Sequence, residues 1–207
     1  MSLLSDKSIL DRCENEKMIQ PFSPTSVKTG DDDERIASYG VSSGGYDLRA
    51  APEFKLFIPP KTTFWQRLKY LITGAIPEHE ALDYKNIRED QFHSVTGSKI
   101  VVPPGGFLLT RSKEYVKMPR DLIALCIGKS TIARVGWNCL CTPIEPGWEG
   151  YITFEFHNTT NQPNTFYANE GVLQLVFLEL DQACAVSYAD RGGKYQNQAK
   201  QIVLPMV

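Results

Sequence analysis

Short apolar runs separated by paired glycines and prolines occupy most of the chain from residue 38 onward. The runs fall at 46–50, 53–58, 99–102, 106–111, 122–127, 137–142, 151–157, 165–168, 172–180 and 184–187. Gly44-Gly45, Pro59-Pro60, Pro103-Pro104-Gly105-Gly106 and Pro146-Gly147 punctuate them. Proline lacks the N–H that a ladder needs, and glycine favours turns, so such pairs stop strands. Many short strands at close spacing predict a mainly β fold, a sandwich or barrel. The 207 residues suit one domain, 1–207, which can bury roughly 70% of its unfolded surface without a disulfide or metal.

Two segments break the β rhythm. Residues 5–18 read as a helix with Ile9, Leu10 and Cys13 on one face and Ser5 or Asp6 placed to cap it; Pro21 and Pro24 end it. Residues 24–37 read as a polar loop, with the acidic run Asp31-Asp32-Asp33-Glu34 solvated. Residues 61–76 read as a second helix, with Phe64, Leu68, Leu71 and Ile72 on one face and Lys61, Arg67 and Lys69 largely elsewhere. Such a helix either packs on its own domain or an oligomer contact, or meets a membrane surface or partner.

Charge and cysteine content narrow the classes. A net charge of −2 argues against coating a nucleic-acid polymer, and leaves room for a local basic pocket that holds a small anion. Five scattered cysteines, Cys13, Cys126, Cys139, Cys141 and Cys184, suggest a reducing compartment. The N-terminus shows no signal-peptide run and no stretch reaches membrane-spanning length, so the expected location is the cytoplasm, with no membrane partner.

Several residues have the chemistry of a site. Gly128-Lys129-Ser130-Thr131 lacks the glycine that a P-loop needs at position 123, which is Ile123; backbone N–H groups and Lys129 can still take phosphate. In 151–157, Ile152, Phe154 and Phe156 alternate with Thr153, Glu155 and His157. Glu155 is then either solvated or held in a partly dry pocket, where desolvation raises a carboxyl into general acid/base range. Gln174 sits within an apolar run and needs partners, either backbone or the edge of a ligand. The histidines His79, His93 and His157 and the pair Cys139/Cys141 lack the H-x-E and P-C-x-x-C spacings of zinc deaminases, so no zinc or other protein-held metal is expected. Residues 188–198 combine glycines, Tyr188, Tyr195, Arg191 and Lys194, which suits either a lid over a polyanion or a frayed end.

These pieces share an order with a known family. The run GKSTIARVGWNCLCTPIEPGWEGYITFEFHNTT (128–160) closely resembles the bacterial-type dCTP deaminase family, whose signature is G-[KR]-S-[ST]-x-A-R followed by T-P-[IL]-E-P-x-W-E-G-x-[IV]-T-[LF]-E-F. The likeness continues in SYGVSSGGYDLRA (38–50), YANEGVLQLVF (167–177) and SYADRGGKYQNQ (187–198), and covers most of the chain.

The resemblance implies a dUTPase-like distorted β-barrel or jelly roll with a short N-terminal helix, to which the helix read near 62–73 is an extra. It implies a homotrimer with sites at subunit interfaces, and hydrolytic deamination of dCTP to dUTP and ammonia in pyrimidine deoxynucleotide metabolism. No zinc takes part; Mg2+ arrives on the triphosphate, and dTTP inhibits. Glu155, Ser130 and Arg134 match the catalytic positions. Lys129, Ser130, Thr131, Ile132, Ala133, Arg134, Glu145, Thr153, Phe154, Glu155, Gln174, Tyr188, Lys194 and Gln198 match substrate-binding positions. Residues 188–207 would form a mobile lid, and 61–82 reads as an insertion.

The chain departs from the family at Trp137, where a small aliphatic residue beside the site is more usual, and at its ending, which lacks the glycine of Q-x-G-V-x-L-P. Alternatives are a bifunctional enzyme yielding dUMP and pyrophosphate, a dUTPase, and a non-catalytic nucleotide-binding relative.

Overall fold

The computed structural model describes residues 2–57, 64–74 and 82–206. Helix α1 (Asp6–Glu16) buries Ile9 and Cys13 and ends at Lys17, which takes the left-handed conformation at φ 58°. Ser5 is its N-cap residue, but its side chain makes no capping bond. Asp6 in the first turn supplies a favourable charge for the helix dipole.

The rest is mainly β, as the punctuation predicts. Among the described residues ten strands form one curled sheet. They are β1 (Ile19–Gln20), β2 (Val27–Thr29), β3 (Arg35–Ser42), β4 (Gly45–Phe57), β5 (Phe92–Thr96), β7 (Phe107–Lys117), β8 (Leu122–Gly128), β9 (Trp137–Cys139), β10 (Glu149–Asn158) and β12 (Gly171–Glu179). β6 (Lys99–Val102) and β11 (Asn164–Tyr167) pair separately. The long strand β4 is the seam: it bonds β3, β5, β7 and β12. β12 continues to β8, and β7 continues to β10 and β9. Run 46–50 and residues 53–57 of run 53–58 merge into β4, residue 58 lying outside the described residues, with a register shift between Ala50 and Phe54 where Pro52 cannot donate to the ladder.

The core lies against the inner face of β10. Phe154 and Phe156 are fully buried, with ring centroids 6.3 Å apart. Phe166 lies 4.7 Å from Phe156, and Trp137 lies 5.2 Å from Phe166 at 81°. Edge-to-face pairs of this kind add to the area term of burial. Trp137 is therefore a core residue, not one facing the site.

The opposite face of β10 is set by a bulge. Between Tyr151 and Thr153 the partner β7 runs from Tyr115 to Arg111, so β7 carries the extra residues. Ser112 Oγ fills the gap by accepting the Ile152 N–H at 2.9 Å.

Other expectations change. Residues 184–187 are not a strand, and of 137–142 only 137–139 pairs in β9. The polar stretch 24–37 contains β2 and the start of β3; its acidic run is the exposed turn between them. Helix α2 covers Phe64–Thr73, with 61–63 and 75–76 outside the described residues. Phe64, Trp65, Leu71 and Ile72 are exposed, so they do not pack on their own domain. Lys61 and His79 also lie outside the described residues, as does the side chain of Arg67.

Candidate active site

The two-residue period of β10 sends Ile152, Phe154 and Phe156 into the core and Thr153, Glu155 and His157 to the other side. Glu155 stands opposite Leu109 of β7. It opens into a cavity of about 960 Å³. Thr153 shares the floor, and the loop 141–148 supplies Cys141, Glu145 and Trp148. Tyr188, Tyr195 and Gln198 also line it, and Leu82, Tyr84, Ile87 and Phe92 contribute a largely apolar wall.

Burial pushes the Glu155 carboxyl up to about 7; only its own backbone N–H opposes the shift. No cation among the described residues pairs with it. A group of this kind gives and takes a proton near neutral pH, which is what general acid/base chemistry requires.

The tail is folded onto this cavity. Gln198 Nε2 donates to Thr153 Oγ1, and the Gln198 carbonyl accepts the Tyr151 N–H at 3.0 Å. Gly150 permits this approach: at φ 148° a Cβ there would stand 2.6 Å from the Gln198 nitrogen. Trp148 Nε1 donates to the Tyr195 carbonyl at 2.8 Å, and the Tyr195 N–H donates to Tyr188 Oη at 3.2 Å. Arg191 pairs with Glu145 across the mouth. The atypical ending therefore still docks, with Ile202 buried and the Val203 N–H reaching Thr153 Oγ1 at 3.3 Å.

A second polar cluster lies elsewhere on the sheet. Register places Asp47 of β4 opposite Gln174 of β12. Gln174 Nε2 donates to Asp47 Oδ1 at 3.2 Å and to Ser42 Oγ at 3.1 Å, so its partners are side chains, not backbone. Lys129 Nζ donates to Asp47 Oδ2 at 2.8 Å and to Ser38 Oγ at 3.0 Å. Lys129 immediately precedes the short helix α3 (Ser130–Ala133) without capping it through its side chain; α3 presents Ser130, Thr131, Ala133 and the following Arg134 to solvent. Ile132 is half-buried against the core.

One chain thus brings Glu155, Glu145, Thr153, Tyr188 and Gln198 together around the cavity. Lys129 and Gln174 share the Asp47 cluster. Ser130, Thr131, Ala133, Arg134 and the exposed Lys194 do not line the cavity, and Phe154 points into the core. Beside α3, the apolar side chains Leu125, Ile127, Val135 and Leu140 are exposed. Sequence reasoning did not single out Asp47 or Trp148. Asp47 had a signal in its place within YDLRA, but its two partners depend on strand register. The Leu82–Phe92 wall had no signal at all.

A family model described as dCTP deaminase-like matches residues 3–180. The chain belongs to the dCTP deaminase-like family. It is 46% identical over 205 residues to a dCTP deaminase of Burkholderia cenocepacia (strain HI2424), covering 99% of each chain. The same figures hold for a dCTP deaminase of Burkholderia vietnamiensis (strain G4 / LMG 22486). Among solved structures, the 2'-deoxycytidine 5'-triphosphate deaminase from Agrobacterium tumefaciens aligns with a TM-score of 0.53 and 18% identity, over 84% of this chain and 47% of that one. This chain spans about half the length of that structure, and at such identity the likeness shows the fold alone. The dCTP deaminase-like match ends at residue 180, before Tyr188 and Gln198.

Proposed function

We propose that this chain deaminates dCTP to dUTP and ammonia, with Glu155 as the general acid/base. The observation that carries the reading is the Glu155 carboxyl, desolvated, unpaired by any described cation and lifted to about 7, on the floor of a nucleotide-sized cavity. Full-length similarity to dCTP deaminases supports the substrate.

In this reading water attacks C4 of cytosine and Glu155 takes its proton. Glu155 gives that proton to ring N3, then takes the proton of the new C4 hydroxyl and passes it to the departing amine as C4=O forms, so dCTP and water give dUTP, protonated at N3, and ammonia. Ser130 and its neighbouring N–H groups hold the water and stabilise charge at the attacked carbon, and Arg134 sits near the reacting edge. Thr153 and Gln198 exchange their mutual hydrogen bond for contacts to the nucleotide. Arg191, on leaving Glu145, and the exposed Lys194 counter the triphosphate charge, while Lys129 stays held by Asp47 and Ser38. Bound to the triphosphate, Mg2+ would shield the phosphate charge.

Ser130 and Arg134 face solvent away from the Glu155 cavity, and exposed Leu125, Ile127, Val135 and Leu140 flank them. This arrangement supports a homotrimer in which Ser130 and Arg134 of one subunit complete the Glu155 cavity of another. dTTP would compete for the same site. The cysteines are free, in keeping with the cytoplasm, and no helix among the described residues is long and apolar enough to cross a membrane.

One experiment tests the whole reading. The chain is incubated with dCTP and Mg2+, alone and as a refolded mixture of Glu155→Gln and Ser130→Ala chains. Ammonia with dUTP is expected from the wild type, and the mixture should regain turnover that neither variant has alone. dUMP with pyrophosphate would assign the bifunctional reaction instead. No ammonia would refute deamination, and no recovery in the mixture would refute the shared site.

A further inference from the structure

Three cysteines that the mechanism does not use stand behind Glu155. An isolated bridge joins Ala124 of β8 to Ile144, with N–H to carbonyl distances of 3.0 and 2.8 Å. It lays the 140–144 loop antiparallel to β8 and brings Cys141 beside Cys126; the Cys141 thiol faces the Thr142 carbonyl at 3.8 Å. Cys139, next along, has its Cβ 3.3 Å from where a Cβ on Gly128 would be. Cys141 lines the cavity, and the adjacent Leu140 N–H donates to the Glu155 carbonyl at 2.9 Å. The loop that carries Cys141 therefore also holds the backbone of Glu155. Cys13 lies in α1 and Cys184 beyond β12, away from this group.

We propose that Cys126 and Cys141 form a reversible disulfide that lowers turnover by fixing the loop against β8. The oxidant is a small disulfide such as oxidised glutathione. The Cys141 thiolate, which opens on the cavity, attacks one glutathione sulfur and releases one glutathione thiolate. The Cys126 thiol loses its proton and displaces the second glutathione from the mixed disulfide. Two protein thiols and one glutathione disulfide give one protein disulfide and two reduced glutathiones. Burial and the Cys141 contact hold the Cys126 thiol protonated, so exchange begins at Cys141. A displacement of order an ångström at the catalytic carboxyl lowers turnover by about tenfold to a hundredfold.

The activity arm of the test rests on the proposed role of Glu155; the pairing arm does not. The whole chain is equilibrated with oxidised glutathione, mapped by mass spectrometry without reduction, and assayed with dCTP before and after dithiothreitol. A Cys126–Cys141 cross-linked peptide and a loss of turnover that dithiothreitol reverses are expected. Cys141→Ser and, separately, Cys126→Ser should lose both effects, each measured against its own reduced activity; Cys13→Ser and Cys184→Ser should keep them. Pairing through Cys139, stable glutathione adducts, no cross-link, or a cross-link that leaves turnover unchanged would each overturn the proposal. If reduced protein failed to deaminate dCTP, the proposed function would fall, and the peptide map would still decide the pairing.

Discussion

Glu155→Gln is expected to release ammonia from dCTP about a hundredfold to ten-thousandfold more slowly than the wild type, the range of a lost general acid/base. The amide keeps the shape of the side chain but cannot take the proton of water. Affinity for dCTP should change little, because Thr153, Gln198 and the cations remain. The same variant should be more stable at neutral pH. Burial raises the Glu155 pKa from 4.5 to about 7, so the folded state binds this proton more tightly than the unfolded chain does. The contribution is fully present below about pH 4.5 and is lost as pH rises through about 7. Glutamine has no charge to desolvate, so the thermal midpoint of Glu155→Gln should pull above the wild type across that window and keep the gap beyond it. Near wild-type ammonia release would remove Glu155 from the mechanism; an unchanged midpoint difference across the window would contradict its burial.

The second large effect concerns Glu114, which is fully buried. Its carboxylate accepts Arg49 Nε at 2.6 Å and the Arg49 backbone N–H at 3.0 Å, while the Arg49 guanidinium lies 4.2 Å from the Tyr39 ring centre. Burial pushes the Glu114 carboxyl up, and Arg49 opposes the shift. Glu114→Ala leaves a buried guanidinium and a backbone N–H without their acceptor. The expected cost is about 3–5 kcal/mol, the range for breaking a buried pair from one side. That lowers the thermal midpoint by roughly 10 °C for a chain of this size. Arg49→Met with Glu114→Met should recover most of the loss, because no charge is then stranded. Glu114 adjoins the β7 bulge where Ser112 accepts the Ile152 N–H, so the single variant should also slow dCTP turnover through β10. A midpoint within a degree of the wild type would refute the buried pair as a structural element.

The legible parts of the molecule were those with a strict local rule. The period of two in 151–157 placed Glu155 opposite the core face, and Gly/Pro pairs marked most strand ends. The illegible parts depend on distant partners. β2 and β3 have too few alternating apolar residues to stand out. Lys129 reads as a free phosphate ligand until the β4–β12 register sets Asp47 against Gln174 and within reach of it. Trp137 reads as a site residue by proximity in sequence, yet its strand turns it toward Phe156 and Phe166. The tail reads as glycine-rich and loose, but its hydrogen bonds go to Tyr151, Thr153 and Trp148, which lie far away in sequence. Phe64, Leu71 and Ile72 of α2 had the spacing of a packed face and are exposed, which periodicity alone does not reveal.

The pH dependence of kcat/KM for dCTP bears most directly on the role of Glu155. With a carboxylate base of pKa about 7 in the free protein, log kcat/KM should rise with unit slope at lower pH, bend near pH 7 and level above it. In Glu155→Gln that bend should be absent from whatever turnover remains. A wild-type profile that is flat through this region, or a bend that survives in Glu155→Gln, would contradict Glu155 as the base.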